Sequence, residues 1–271
     1  KIINQNMNIF FFLKEIYFFR KTSYDLYINL SPTLLSYFFC FFSKSKRKST
    51  LIFLSRYKKS NLSYFFKKFF SKIFCKNILI IDRFKMLKNN EDIHQTNMIF
   101  KLLSQCKIHH TKEFLIDIVL PKQKLNLYKN KKLVTIHVSS RWINKFYNEE
   151  NFLKLINNLP KDRYIYALTT DQTTKKIFKK IYNNFPIVDN NNFDKKNIDN
   201  LPVIIFDKLD FENWLIVLQS SIQVITPECG CTHVATACKT TVNIIYDPDN
   251  VPEAIHKEYA PWKGKYHKLI F

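Results

Sequence analysis

From Leu133 onward, apolar runs of strand length alternate with segments of helical periodicity, and this alternation limits the fold more tightly than any other feature of the chain. LVTIHVSS (133–140) reads as a buried strand closing on two hydroxyls. NEENFLKLINNL (148–159) follows as a helix with Phe152, Leu155, Ile156 and Leu159 on one face. RYIYALTT (163–170) is the next strand, and a helix is expected over 171–183. LPVIIF, the helix DFENWLIVLQSS, the strand IQVIT, a small-residue helix from Cys231 and the strand TVNIIYD complete the series. Strands separated by helices at this spacing lie parallel, so an α/β, doubly wound sheet is expected.

The first 120 residues are aromatic, basic and less regular. Their pattern predicts strands near 25–30 and 50–54, and helices near 33–43, 61–74 and 91–105. Pro121 and KQKLNLYKNKK (122–132) read as a linker, giving an N-terminal domain 1–120, a linker 121–132 and a C-terminal domain 133–271. The uncharged stretch Leu26–Ser43 reaches the roughly 18 residues of a membrane span. Polar residues interrupt it, however, and Pro32 divides it into a strand-like and a helix-like piece. SKSKRKS (43–49) and RYKKSNLSYFFKKFFSKIFCK (56–76) then interleave lysine with phenylalanine. Two readings stand for this segment: a surface for an anionic bilayer, or an amphipathic helix that packs its Phe face on the core. No groove-reading motif occurs, so nucleic acid is not an expected partner.

Lys, Asn, Ile and Phe are over-used, so part of the net charge of +21 reflects composition alone. With 46% hydrophobic and 16% aromatic residues the chain can bury a substantial core. The six cysteines show no paired metal-ligand spacing, and reduced thiols in a cytoplasmic protein are expected. The chain opens on Lys1 rather than Met, as expected of one that lacks its natural beginning. Only two glycines occur where average usage of about 7% would give roughly 19. One of them, Gly230, lies in TPECGCTHVATAC (226–238), where a tight turn or a close approach to a ligand is expected.

Ligands of open parallel sheets bind beyond the carboxyl ends of the strands, and three clusters fall there. They are Ser139, Ser140 and Arg141 with Lys145; Thr169, Thr170 and Asp171; and Thr226 to His233. In the last, Gly230 would let the chain approach an anion while the amides and dipole of the next helix favour phosphate. The plainer alternatives are that Gly230 and Thr232 form only a turn and helix cap, that His233 is a satisfied buried histidine, and that Lys145 is a solvated lysine.

TPECGCTHVATACKTTVNIIYDP resembles the signature of glycosyltransferase family 9, the lipopolysaccharide heptosyltransferases. IHVSSRWINKFYNEENFLKLINNL is similar to the family's strand, paired hydroxyls, Lys-x-aromatic element and helix. YDLYINLSPTLLSYFFCFFSKSKR, DIHQTNMIFKLLSQCKI and APWKG resemble further family segments less closely. The resemblance implies a GT-B architecture of two Rossmann-like domains facing across a cleft, the N-terminal one incomplete here. It also implies an inverting transfer from a nucleotide-sugar donor, usually ADP-heptose, to a lipid-linked saccharide acceptor at the cytoplasmic membrane face. Ser139 and Ser140 would contact the diphosphate, Lys145 would neutralise it, and Glu228, Cys229, Gly230, Thr232 and His233 would occupy the donor-binding signature. Such chemistry calls for no metal and no cofactor. Glu228 and Cys229 depart from the family's usual Asp and Thr. No catalytic base is assigned, since Asp25 and Asp82 lie outside the motif that carries it. The rival reading is a catalytically degenerate module that only holds a nucleotide sugar or an anionic lipid.

Overall fold

A computed structural model of the protein describes residues 9–54, 61–109, 118–125, 131–140, 148–193, 201–246 and 252–270. The chain divides into two units, Lys1–Lys112 and Glu113–Phe271.

In the first unit α1 (Ile9–Lys21) is followed by β1 (Ser23–Asn29), α2 (Leu34–Phe42), β2 (Lys44–Phe53), α3 (Asn61–Phe74), β3 (Asn77–Ile81), α4 (Arg83–Lys88) and α5 (Gln95–Gln105). The three strands pair in parallel in the order β1-β2-β3. Leu51 and Phe53 pack with Ile81 and with Met98 and Leu102 of α5, while Thr50 and Ile52 on the alternate face are also buried. Just after Pro32, Thr33 caps α2 in a reciprocal pair with Ser36, which fixes the break seen in the sequence. SKSKRKS is not a surface tract apart from the sheet: Lys44–Lys48 form the first half of β2, and Arg47 donates to the Cys106 carbonyl at 2.6 Å. The phenylalanines of α3 divide: Phe70 and Phe74 are half-buried against Tyr37 and Phe41 of α2, whereas Phe65, Phe66, Phe69 and Ile73 are exposed.

The second unit runs β4 (Lys132–Val138), α6 (Glu149–Asn158), β5 (Tyr164–Thr170), α7 (Gln172–Ile177), α8 (Lys179–Asn184), β6 (Ile187–Val188), β7 (Val203–Phe206), α9 (Phe211–Ser220), β8 (Ser221–Pro227), α10 (Gly230–Ala237), β9 (Thr241–Tyr246), α11 (Pro252–Tyr259) and β10 (Tyr266–Ile270). Among the described residues its strands form one seven-stranded parallel sheet in the order β10-β9-β8-β4-β5-β7-β6. One face packs Val134, Ile136 and Val138 against Phe152 and Ile156 of α6. The other packs Leu133, Ile165 and Ile204 against Ile216 and Val217 of α9. The helix expected over 171–183 is two helices, broken at Phe178, whose buried ring stacks on Phe152 at 5.3 Å. No helix among the described residues is long and apolar enough to cross a membrane.

The glycine shortage is answered at the helix ends. Among the described residues five that are not glycine take positive φ, namely Asn90, Lys107, Lys208, Lys239 and Lys263. After α5, the Lys107 amide donates to the Ser104 carbonyl and the Ile108 amide to the Leu103 carbonyl. After α10, the Lys239 amide donates to Thr236 and the Thr240 amide to Ala235. Both are Schellman closures with lysine in the left-handed seat that glycine normally fills. A side chain costs about 1 kcal/mol there, so Lys107→Gly and Lys239→Gly are each expected to raise stability by about that amount, read as a higher urea midpoint with an unchanged slope.

Gly230 is not a left-handed turn, and a Cβ added to it meets nothing within 4 Å. The sterically demanded glycine is Gly264, whose added Cβ would lie 1.8 Å from Thr236 Cγ2.

Candidate functional site

The strand order of the second unit reverses at β4. From β4 the chain proceeds outward through β5 to the edge strand β6, steps back to lay β7 between them, then returns to lay β8 on the other side of β4. Neighbouring connections leave in opposite directions there, opening a crevice beyond the carboxyl ends of β4 and β8, the usual ligand position in such sheets. The β4–β8 register pairs Ile136 with Ile225; carried on, it sets Ser139 level with Glu228. Ser139 and Ser140 of the first cluster and the third cluster therefore flank one crevice, and the second cluster lies one strand away at the end of β5; Arg141 lies outside the described residues.

Ser139 is buried, and its Oγ has no hydrogen-bond partner among the described residues. A buried hydroxyl left without a partner is costly, and a ligand in the crevice would relieve it. Ser140 is anchored through its backbone, its amide donating to Asp171 Oδ2 at 3.1 Å. Asp171 caps α7, accepting from the Thr174 amide at 2.6 Å and the Thr174 hydroxyl at 2.8 Å. Burial pushes its carboxyl up, but the hydrogen bonds from Thr174 and Ser140 outweigh this and hold its pKa below the usual carboxylate value. Asp171 thus ties the exits of β4 and β5 together. A carboxylate so engaged is an organiser rather than a proton acceptor.

On the opposite wall, the Glu228 amide donates to the Ile245 carbonyl at 3.0 Å, which fixes the chain between β8 and β9. Cys229 is the N-cap of α10 in extended conformation and makes no side-chain cap. Its thiol is within 3.4 Å of Thr226 Oγ1, and burial pushes its pKa up, so it is a neutral thiol. Thr232 is not the cap: it is buried in the first turn, with its amide and its hydroxyl both directed to the Cys229 carbonyl. Gly230 is exposed at the helix opening, with no atom of the described chain in front of it. Gly230 therefore leaves the opening of α10, at the positive end of its dipole, without a side chain of its own. His233 is half-buried on the same helix, and Lys145 lies outside the described residues.

Two features were not singled out in the sequence. At the exits of β5 and β7, Lys175 is paired with Asp207 and sits 5.1 Å from the centre of the Tyr182 ring, and Tyr182 Oη is 2.6 Å from Thr170 Oγ1. The run VIIFD, a strand closing on an acid, was the available signal. Below the crevice, His137 Nδ1 lies 2.9 Å from Thr169 Oγ1 with Trp214 alongside, and burial lowers the His137 pKa to about 4 against a weaker upward pull from Asp171. A cavity of about 310 Å³ lined by Thr236, Lys239, Trp262 and Gly264 is at the opposite, amino edge of the sheet, away from these groups.

The family model described as glycosyltransferase family 9 (heptosyltransferase) matches residues 17–268. No curated protein sequence matches the chain. Among solved structures, a glycosyl transferase family 9 protein from Veillonella parvula DSM 2008 is similar over 100% of this chain and 69% of its own, with a TM-score of 0.65 at 14% identity. The E. coli heptosyltransferase WaaC with ADP is similar over 95% of this chain and 71% of its own, with a TM-score of 0.60 at 14% identity. The E. coli ADP-heptose lps heptosyltransferase II is similar over 97% and 73%, with a TM-score of 0.62 at 11% identity. At these identities the likeness is one of fold, and it agrees with the two parallel-sheet units of GT-B type.

Proposed function

Because this chain belongs to glycosyltransferase family 9, we propose that it is an inverting transferase moving a heptose-like sugar from ADP-heptose to a lipopolysaccharide core or similar lipid-linked acceptor. It would work at an anionic membrane surface on the cytoplasmic side. The observation that carries the donor site is the strand reversal at β4–β8, with an unpartnered buried hydroxyl on one side and a helix that opens on the exposed Gly230 on the other.

Breaking the anomeric bond to a nucleoside diphosphate leaves charge on the departing phosphate oxygens. Amides and a helix dipole already aimed at that position stabilise this charge without reorganising. Ser139 and Ser140 would meet the diphosphate from β4, Gly230 and the α10 amides from β8, and Lys145 would supply the cation. Glu228, Cys229, Thr232 and His233 shape the remaining wall. Asp171 keeps the β4 exit in place and takes no part in proton transfer. The acceptor hydroxyl needs a base, and none is assigned among the described residues.

Calorimetric titration with ADP, GDP and UDP tests the site. ADP is expected to bind tightest. Lys145→Ala and Gly230→Ala are each expected to weaken it by about tenfold or more while leaving the thermal midpoint unchanged. Gly230 is the sharper probe, since an added methyl touches nothing in the folded chain and any loss must come from the ligand. Equal, poor binding of all three nucleotides, or a Gly230→Ala variant that binds ADP like the wild type, would remove the assignment. Transfer of labelled heptose to a lipid-linked acceptor separates the enzyme from a module that only binds.

A further inference from the structure

Helix α3 is amphipathic the wrong way round for a helix packed on a soluble core. Ser71 is fully buried, 2.5 Å from Tyr37 Oη, which also donates to the Lys67 carbonyl at 3.0 Å. Phe65, Phe66, Phe69 and Ile73 point the other way and are 63%, 49%, 50% and 54% exposed. At about 100° per residue these four fall in one arc, with Lys68 and Lys72 along one border and Lys67 beyond the other. Beside them on α2, Phe38 and Phe41 are 46% and 55% exposed. Between the two helices is an almost wholly apolar cleft of about 220 Å³, lined by Tyr37, Phe38, Phe41, Phe70 and Phe74. An apolar patch of this kind on a soluble unit marks an interaction surface.

Charge decides the occupant. Between residues 26 and 81 the sequence has eleven Lys and Arg and no Asp or Glu. A protein partner or a second copy of this chain would have to bring its own carboxylates, and a second copy presenting the same face would be repelled. We propose that the α2–α3 face is a membrane-docking surface. α3 lies in the plane of an anionic bilayer, Phe65, Phe66, Phe69 and Ile73 enter the acyl boundary, and the α2–α3 cleft takes the upper segment of one acyl chain. Lys67, Lys68 and Lys72 extend along the helix to the phosphates of the head groups. The proposal rests on the reading of a transferase for a lipid-linked acceptor, and names the surface that brings it to that acceptor.

Flotation of the full chain with vesicles tests it, using phosphatidylcholine alone and phosphatidylcholine mixed equally with phosphatidylglycerol. The wild type is expected to float with the anionic vesicles at low salt, to float less as salt rises, and to stay behind with phosphatidylcholine alone. The triple variant Phe65→Ser, Phe66→Ser, Phe69→Ser is expected to lose about tenfold or more in vesicle affinity, with no fall in thermal midpoint because those rings are exposed. Lys67→Gln, Lys68→Gln, Lys72→Gln is expected to lose about as much and to lose its salt dependence. Absence of wild-type binding at low salt, equal binding to both vesicle types, or a Phe variant that floats like the wild type would overturn the proposal. So would a concentration-dependent dimer that the Phe variant abolishes while vesicles leave the wild type unbound. ADP titration of the Phe variant is expected to match the wild type. If the wild type floats but binds no nucleotide, the transferase reading fails and the docking surface stands.

Discussion

Acidification from pH 7 to about pH 4.5 is expected to cost the wild type about 2 kcal/mol more stability than it costs a His137→Gln variant. His137 lies at the end of β4 with Thr169 Oγ1 on its Nδ1 and Trp214 alongside, and burial lowers its pKa to about 4 from an ordinary 6.5. Its folded pKa is depressed, so between these values the unfolded chain binds the proton and the folded chain does not. Stability is therefore full above about pH 6.5 and is lost as pH falls towards about 4. The full shift corresponds to roughly 3 kcal/mol, and the residual solvent access of the ring reduces this to about 2. Carboxylates titrate over the same range, which is why the difference between wild type and variant is the quantity to measure, by urea unfolding at both pH values. Parallel pH profiles for the two proteins would show that the ring is solvated in the folded state.

Gly264→Ala is expected to destabilise the second unit by about 2 kcal/mol, a large effect for a single methyl group. Its Cβ would sit 1.8 Å from Thr236 Cγ2 and 3.1 Å from Thr236 Cβ. Thr236 cannot swing aside cheaply, because it is β-branched and its Oγ1 donates to the Thr232 carbonyl at 2.7 Å inside α10. Either that bond breaks or the turn leading into β10 moves away from α10. Thr236→Ser removes the offending methyl and keeps the hydroxyl, so the double variant Thr236→Ser, Gly264→Ala is expected to regain most of the loss. Thermal unfolding of the four proteins of the cycle checks this. A fully additive cycle would mean that the two residues do not meet.

The alternation that predicted a doubly wound sheet was legible because the central strands β4, β5 and β7 are buried on both faces and so read as unbroken apolar runs. β10 was not legible: YHKLI is an edge strand, with His267, Lys268 and Leu269 exposed, and it lacks that run. β3 was missed for a different reason, since NILII is only five residues long and directly follows a helix equally rich in apolar residues. The break at Phe178 left no Pro or Gly signal, because it is set by the stacking of Phe178 on Phe152 from another helix. At the site, the placement of Ser139 and Gly230 at strand ends could be read from the sequence. Their meeting on one edge of the sheet was expected as well, but not which strands flank them, because that depends on β8 returning to the far side of β4. The role of Asp171 was hidden for the same reason, since its hydrogen bond to Ser140 spans 31 residues. Gly230 drew attention through rarity, whereas the glycine that packing cannot replace was Gly264.

The lysines in left-handed seats show what the turns of a chain with two glycines have to bear. Swapping glycine for lysine at a helix terminus keeps both closing hydrogen bonds and leaves a soluble amine outside, so each exchange is survivable by itself. The backbone strain of a glycine-poor chain thus falls at the turns, outside the packed interior of the sheet.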